Sequence, residues 1–258
     1  MAFETNGIET IMDNAWKQTT KVLFGEPLSV MSDYSDYLKE PLVGKSVKSI
    51  ISGKDLFVTS KHYPPKARFF DYNKEIQSAS ILSKPIDVNR IKDVDSLFDA
   101  VEEKFIYSGN KVLGNSKFVK NSDNITDSNY VLDSSMIVNG KYVAYCYMLR
   151  NNEYCFASTS SGDSSMLIRC LYNNSLKRCF ECSLTVSSSD CYFCHNVTGS
   201  SDCLFTFNVR AKRNMVGNVQ LTKEQYAPLR AKLIGEMAED LKKRKRIMSI
   251  MDILGEGA

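Results

Sequence analysis

The sequence predicts a mainly β protein: a parallel β-solenoid (a right-handed β-helix) with a small α+β N-terminal region before it and a C-terminal capping helix after it. The first observation behind this prediction is the spacing of the cysteines, many of which lie 12 or 24 residues apart. A period this strict is the mark of a repeat protein. In a solenoid each coil lies on the previous one, so that equivalent side chains form columns. The eight cysteines are Cys146, Cys155, Cys170, Cys179, Cys182, Cys191, Cys194 and Cys203.

A second observation is a column of apolar residues with the same twelve-residue period. Its members are Leu132, Ala144, Phe156, Ile168, Phe180, Tyr192, Leu204 and Val216. Turn formers such as Asn139-Gly140 and Gly199-Ser200 lie between the apolar positions. Short apolar segments separated by polar turns are typical of the strands of a solenoid, which stack about 4.8 Å apart.

The size of one coil is open between 12 and 24 residues. Twelve residues span at most about 40 Å of perimeter, which leaves interior room for small side chains only. Because Phe, Tyr, Leu and Ile recur at the apolar positions, we expect the larger coil. About five such coils would form a rod ~25 Å long, and the crossover preference of parallel strands makes it right-handed.

The chain divides into four expected segments. Repeats are absent from the first segment, and the last two follow the end of the repeat. The segments are an α+β region at 1–106, the β-solenoid at 107–221, a capping helix at 222–246 and an apolar tail at 247–258.

Two helices carry the clearest local signals. In the N-terminal region, residues 95–105 place Leu97, Phe98, Val101 and Phe105 on one face of an amphipathic helix. After the repeat, Thr222 and Gln225 form a capping box that begins a long helix. We expect this second helix to cover the last coil, whose backbone groups would otherwise be unpaired.

Composition limits the class of protein. The 258 residues carry a net charge of +3, and 43% of them are apolar. These values exclude a polycation and a wholly disordered chain. There is no apolar run of roughly eighteen residues, so we expect no membrane insertion. The start of the chain, Met1 to Thr5, lacks the layout of a secretory leader, and an intracellular, reducing location is expected, with a virion as a second setting.

The cysteines suggest a metal site, with a simpler alternative beside it. Cys179, Cys182, Cys191 and Cys194 form two C-x-x-C pairs that could supply four thiolates to zinc. Disulfides and a column of reduced thiols that act as small apolar residues are the alternatives, and we favour the reduced thiols. Cys191-x-x-Cys194-His195 also matches a haem-attachment pattern. Haem is not expected, because the repeat already explains this cysteine pair.

The C-terminal segment suggests two kinds of contact. The run Lys242, Lys243, Arg244, Lys245 and Arg246 could bind nucleic-acid phosphates or an acidic partner, or simply complement the helix dipole. The tail that follows could dock on another subunit or fold back on its own domain. Its apolar residues are Ile247, Met248, Ile250, Met251, Ile253 and Leu254.

The repeat resembles that of uncharacterised short-repeat, Cys- and Ser-rich β-helix proteins of microbial genomes. The resemblance depends on the turns Ser189-Asp190-Cys191 and Ser201-Asp202-Cys203, and on Asn214-x-x-Gly217-Asn218 before the Lys-rich helix. It covers residues 109–246 and implies a fold, without catalytic residues or a functional family.

Few side chains suggest acid–base catalysis, because the chain has only two histidines, His62 and His195, and neither has an evident carboxylate partner. We therefore expect a non-enzymatic structural, assembly or adaptor protein that contacts other protein subunits through a rigid solenoid, as in a viral or cellular scaffold. A zinc-binding or nucleic-acid-binding module is the alternative.

Overall fold

The computed structural model describes residues 7–60, 62–78, 83–102 and 104–255. Two expectations fall partly outside these ranges. The leader prediction rests on Met1 to Thr5, and the apolar tail was predicted to end at Ala258; these terminal residues lie outside the described residues.

The described residues form six α-helices and 21 strands. The helices are α1 (Ile8–Phe24), α2 (Ser35–Lys39), α3 (Tyr72–Glu75), α4 (Val94–Glu102), α5 (Lys223–Arg244) and α6 (Ile250–Leu254). The N-terminal strands are β1 (Lys45–Lys48), β2 (Asp55–Val58), β3 (Phe69–Asp71) and β4 (Tyr107–Gly109). The solenoid strands are β5 (Val112–Leu113), β6 (Lys117–Lys120), β7 (Asp123–Thr126), β8 (Asn129–Leu132), β9 (Ser135–Val138), β10 (Lys141–Ala144), β11 (Tyr147–Arg150), β12 (Glu153–Phe156), β13 (Thr159–Gly162), β14 (Ser165–Ile168), β15 (Leu171–Phe180), β16 (Val186–Tyr192), β17 (His195–Thr198), β18 (Ser201–Leu204), β19 (Phe207–Arg210), β20 (Arg213–Val216) and β21 (Val219–Gln220).

The fold is a parallel β-solenoid of about nine turns, which confirms the predicted fold class. The expected coil of 24 residues is wrong, because each coil contains twelve. Val131 pairs with Val143, and Val143 pairs with Cys155, so that a strand meets its equivalent twelve residues later. About nine coils at one strand spacing each form a rod of roughly 40 Å rather than ~25 Å.

The larger coil was expected because the bulky apolar side chains were placed inside it. In the structure the aromatic side chains lie outside, whereas Leu and Ile side chains such as Ile137 and Leu167 lie inside. Phe156, Phe180 and Tyr192 pack against the flanking helices, in a cluster separate from the residues that fill the interior. The interior contains only side chains of moderate size, such as Val143 and Cys155, and a coil of twelve residues is large enough for them.

The local unit of the coil is a triplet of residues. From Phe118 to Gly217, every third residue has a positive φ near 50°. Apart from Lys212 and Asn218 near the end, the residue after it points into the interior. Tyr130 therefore precedes inward Val131, and Asp133 precedes inward Ser134. Four triplets complete one coil. A β-branched residue is strongly disfavoured in this conformation, and none of the left-handed positions from Phe118 to Gly217 is Val, Ile or Thr.

Inward polar residues hold adjacent coils together. The Ser134 hydroxyl donates to the Leu132 carbonyl at 2.7 Å and accepts from the Cys146 N–H in the next coil at 3.0 Å. Ser128 bonds in the same way to Thr126 and Gly140. Each of these hydroxyls satisfies a backbone group that the tight turn leaves unpaired inside the solenoid, where an unpaired group would cost about 1–3 kcal/mol.

One side of the solenoid is covered by the terminal helices. Trp16 of α1 meets the Phe156 ring at 5.4 Å between centroids, and Phe24 meets Phe180 at 5.1 Å. The predicted Thr222–Gln225 capping box is present and begins α5. Helix α5 contacts the last coil through β20 and also packs against α1, so that it covers the end of the solenoid and part of this side.

Asparagine side chains pair with backbone at both ends of the rod. The Asn73 amide donates to the Val112 carbonyl and accepts from its N–H, at 2.9 and 2.7 Å. At the other end, the Asn218 amide makes the same two contacts with Phe207, at 2.8 and 2.9 Å. In both places a side chain takes the position of a neighbouring strand. Such caps reduce pairing between exposed strand edges.

The N-terminal region contains two small sheets, with β1 antiparallel to β2 and β3 parallel to β4. The predicted amphipathic helix at 95–105 forms as α4, at Val94–Glu102. Within the described part of this helix no residue is buried. Its apolar face is therefore largely exposed to solvent.

Candidate interaction surface

The four cysteines predicted as zinc ligands lie together inside the solenoid. Cys179 and Cys191 occupy one inner column, whereas Cys182 and Cys194 occupy the next. All four are fully buried, and no disulfide forms, because all eight cysteines are free. Among the residues that the structure describes, no group of three or more His, Cys, Asp or Glu could hold a metal ion. The zinc hypothesis stays a prediction, and elemental analysis of the purified protein tests it.

The thiols behave as weak hydrogen-bond donors to the solenoid backbone. The Cys146 and Cys170 thiols donate to the carbonyls of Cys155 and Cys179, both at 3.4 Å. Burial raises the pKa of the Cys146 thiol to about 12, and it also raises the pKa of Cys155. A protonated thiol is a poor nucleophile. Cys146 and Cys155 are therefore suited to packing rather than to reaction. Against the effect of burial, hydrogen bonds from neighbouring thiols lower the pKa of Cys179 and Cys194.

The haem-attachment pattern is divided between the inside and the outside of the solenoid. Cys191 and Cys194 are fully buried, whereas His195 begins β17 and is half-buried at the outer surface. The Nδ1 atom of His195 is buried without a hydrogen-bond partner. Since the thiols and the imidazole lie on opposite sides of the backbone, the three groups do not form one site.

The basic run is largely used in ion pairs within the chain. Lys242 pairs with Glu26 at 2.5 Å, and Arg246 pairs with Glu40 at 2.8 Å. Arg244 and Lys245 lie 3.4 Å from Asp240 and 3.6 Å from Asp33. Lys243 has no ion-pair partner among the described residues and is exposed. Three of these contacts join the C-terminal segment to the N-terminal region, which leaves little free charge for phosphates.

The apolar tail divides into two sets of residues. Ile250 is only 3% exposed, and Ile247 is partly buried against the cluster that contains α1 and α5. The structure therefore folds these two residues back on their own chain. Met248, Met251, Ile253 and Leu254 are exposed.

A buried carboxylate connects the tail to the solenoid. Glu181 accepts from the Ile250 N–H at 2.8 Å, from Arg169 Nε at 2.5 Å and from the Tyr37 hydroxyl. Burial raises the pKa of the Glu181 carboxyl, and the Arg169 guanidinium opposes that rise. Glu40 pairs with Arg169 at 2.9 Å. This network holds α2, α6 and the solenoid side together.

The outward residues with positive φ form four columns, and the columns differ in chemistry. One packs under the terminal helices and contains Tyr145, Phe193 and Phe205. A second begins with a ladder of aromatic rings from Phe118 to Tyr154, spaced 4.7–5.0 Å apart. The third is polar throughout much of its length: Asp127, Asn139, Asn151, Asp163, Ser175, Ser187 and Gly199.

The fourth column exposes apolar side chains to solvent. We call Met136, Met148, Tyr172 and Leu184 the apolar stripe; Ser160 lies between Met148 and Tyr172 in the same column. Met148 is 44% exposed, Tyr172 60% and Leu184 49%, whereas Met136 is half-buried. A shallow groove of about 600 Å³ lies along its first part, lined by Met136, Met148 and Arg150. The sequence alone does not reveal the stripe, because Ser160 interrupts the column and Asn124 and Asn196 flank it.

A second groove joins the stripe to the tail. Its volume is about 420 Å³, and Tyr147, Leu171, Tyr172, Arg246 and Met251 are among its lining residues. The exposed Met251 therefore extends the apolar surface beyond Tyr172.

Comparisons with known proteins add no family. No protein-family model matches the chain, and no curated protein matches it. Among the described residues, no helix is both long enough and apolar enough to cross a bilayer.

Proposed function

We propose that the chain is a non-enzymatic structural or adaptor protein, whose rigid solenoid binds another protein subunit along the apolar stripe. The support for this proposal is the chemistry of the stripe compared with that of the polar column. Both consist of outward residues with positive φ, but one holds Tyr172 and Leu184 where the other holds Ser175 and Ser187.

Folding alone does not favour the residues of the stripe. A left-handed conformation costs a non-glycine residue about 1–2 kcal/mol, and Asn or Asp reduces that cost. Tyr172 and Leu184 lack this advantage, and their side chains are about half exposed or more. Exposed apolar side chains that cluster on a protein surface commonly mark a contact with another molecule. Large aromatic side chains are enriched in the centres of protein interfaces.

The remaining architecture suits a scaffold. The asparagine caps at Val112 and Phe207 terminate the rod at both ends, and the terminal helices cover one side. The free lateral surface therefore offers a fixed row of side chains spaced by about 4.8 Å. Whether the assembly is cellular or viral stays a prediction.

The experiment compares stability with partner binding. Tyr172→Asn and Leu184→Asn introduce a residue that the left-handed conformation favours, so we expect the urea midpoint to stay the same or rise. The same variants should lose the proteins that co-purify with the wild type from the native source. Ser175→Asn and Ser187→Asn are the matched controls, because they lie in the same coils and the same conformation.

Either of two results would overturn the proposal. One is that the stripe variants retain every protein bound by the wild type. The other is that the control variants lose the same proteins, which would assign binding to the neighbouring polar column as well.

A further inference from the structure

Helix α4 presents an apolar face that no described residue covers. Val94 is 64% exposed, Phe98 64% and Phe105, just beyond the helix, 73%. Val94, Leu97, Phe98 and Val101 lie at i, i+3, i+4 and i+7, which places them on one side of the helix. Helices that dock in grooves use this spacing for their anchors.

The flank of this apolar face is acidic. Asp95, Asp99 and Glu102 are all exposed and have no ion-pair partner among the described residues. A negative flank disfavours binding to an anionic membrane surface and favours a surface that carries a free cation.

The apolar stripe is long enough to seat α4, and a free cation lies beside it. Helix α4 is about 13 Å long, and Phe105 follows just after its end. Met136 to Leu184 covers four coils, or about 19 Å. Arg150 lines the groove beside Met148, is exposed and has no ion-pair partner in the described part of the chain.

We infer that α4 of one copy docks on the apolar stripe of a second copy, with its acidic flank beside Arg150. This inference rests on the proposed function, because it names the occupant of the same stripe. The two surfaces differ, so that the contact is head-to-tail, and it propagates into an open chain or closes into a ring.

The association is weak. A helix of nine residues is about 13 Å long and covers a few hundred Å² on its partner, well below the roughly 800 Å² per partner of a stable interface. Self-association is therefore expected at concentrations on the order of 100 µM, and sedimentation velocity over a concentration series measures it.

Two full-length variants test the contact by complementation. Phe98→Asp damages α4 and leaves the stripe intact, whereas Leu184→Asp damages the stripe and leaves α4 intact. Both positions are exposed, so the variants should fold, and circular dichroism checks this. We expect each variant alone to be monomeric. Their equimolar mixture should form a dimer and nothing larger, because only one functional pair of surfaces remains.

Charge reversal adds a second readout. Arg150→Glu should weaken self-association by about tenfold, and adding Asp99→Lys in the same chain should restore it. Phe207→Asp is the control, because Phe207 is 49% exposed but lies outside the stripe and α4. This control should associate as the wild type does.

Three results would overturn the inference. They are a wild type that stays monomeric up to about 500 µM, a Leu184→Asp variant that associates as the wild type does, and a mixture that shows no dimer. In any of these cases the proposed function still stands if the Tyr172 and Leu184 asparagine variants lose co-purifying proteins. The inference therefore fails separately from the proposed function.

Discussion

Two serines of strand β16 allow a direct test of the triplet. Ser187 is exposed with φ 48°, whereas Ser189, two residues later, is not among the residues with positive φ. Ser187→Val places a β-branched residue in the left-handed region, which we expect to lower the free energy of unfolding by about 1–2 kcal/mol. Ser189→Val keeps an extended backbone, and β-propensity makes it neutral or slightly stabilising.

Ser187→Gly completes the comparison. Glycine adopts the positive φ without strain, but it loses more entropy on folding. We therefore expect Ser187→Gly to leave the free energy of unfolding unchanged or to raise it by up to about 1 kcal/mol. Urea unfolding followed by far-ultraviolet circular dichroism gives the midpoints of the three variants and the wild type. Equal midpoints for Ser187→Val and Ser189→Val would refute the triplet as the unit of the coil.

Three further predictions concern the interior and the tail. Glu181→Ala should lower the free energy of unfolding by about 3–5 kcal/mol, because it leaves the buried Arg169 without its main partner. Asp190→Ala is the control: it removes the more exposed partner of Arg178 and should lower the free energy of unfolding by about 1 kcal/mol or less. Similar losses for both variants would refute the role of burial. The pKa of the Cys146 thiol is raised to about 12 in the folded chain, whereas in the unfolded chain this thiol ionises near pH ~8.5. Between about pH 8.5 and 12 the unfolded state therefore gains stability relative to the folded state. The free energy of unfolding should fall over this range by up to ~1.4 kcal/mol per pH unit from this thiol. Cys146→Ser keeps the inward hydrogen bonds and should remove that part of the slope, whereas an unchanged slope would show that the thiol is not the group that titrates. Deleting residues 247–258 should lower stability by about 2–4 kcal/mol, since Ile250 is buried and its N–H bonds to Glu181; an unchanged urea midpoint would contradict this packing.

The cysteine spacing was enough to predict stacked coils. It was not enough to predict which side chains point into the solenoid and which point out. The separations between successive cysteines are all multiples of three, and this is the signal of the triplet. Positions that repeat every three residues do not alternate in and out as in an ordinary strand, because each left-handed residue rotates the chain. The interior was therefore assigned to Phe156 and Tyr192, and the coil was expected to be too large.

Contacts between distant parts of the chain also could not be predicted from the sequence. Tyr37 and Glu181 are 144 residues apart, and Ile250 lies 69 residues beyond Glu181. In the sequence, Glu181 and Arg169 look like ordinary turn residues. Only the structure shows that their column faces α2 and α6. The stripe was not predicted for a related reason, since the sequence does not show whether its Met, Tyr and Leu side chains are covered or free.

The most direct test of the account is cross-linking between outward residues of neighbouring coils. The side chains of Asn151 and Asp163, twelve residues apart, meet at 2.8 Å. Asn151→Cys with Asp163→Cys should form a disulfide under mild oxidation, because one strand spacing of about 4.8 Å suits its geometry. Asn151→Cys with Ser175→Cys spans about 9.6 Å and should not form one. The native cysteines are buried and do not compete. A disulfide in the second pair but not the first would contradict a coil of twelve residues.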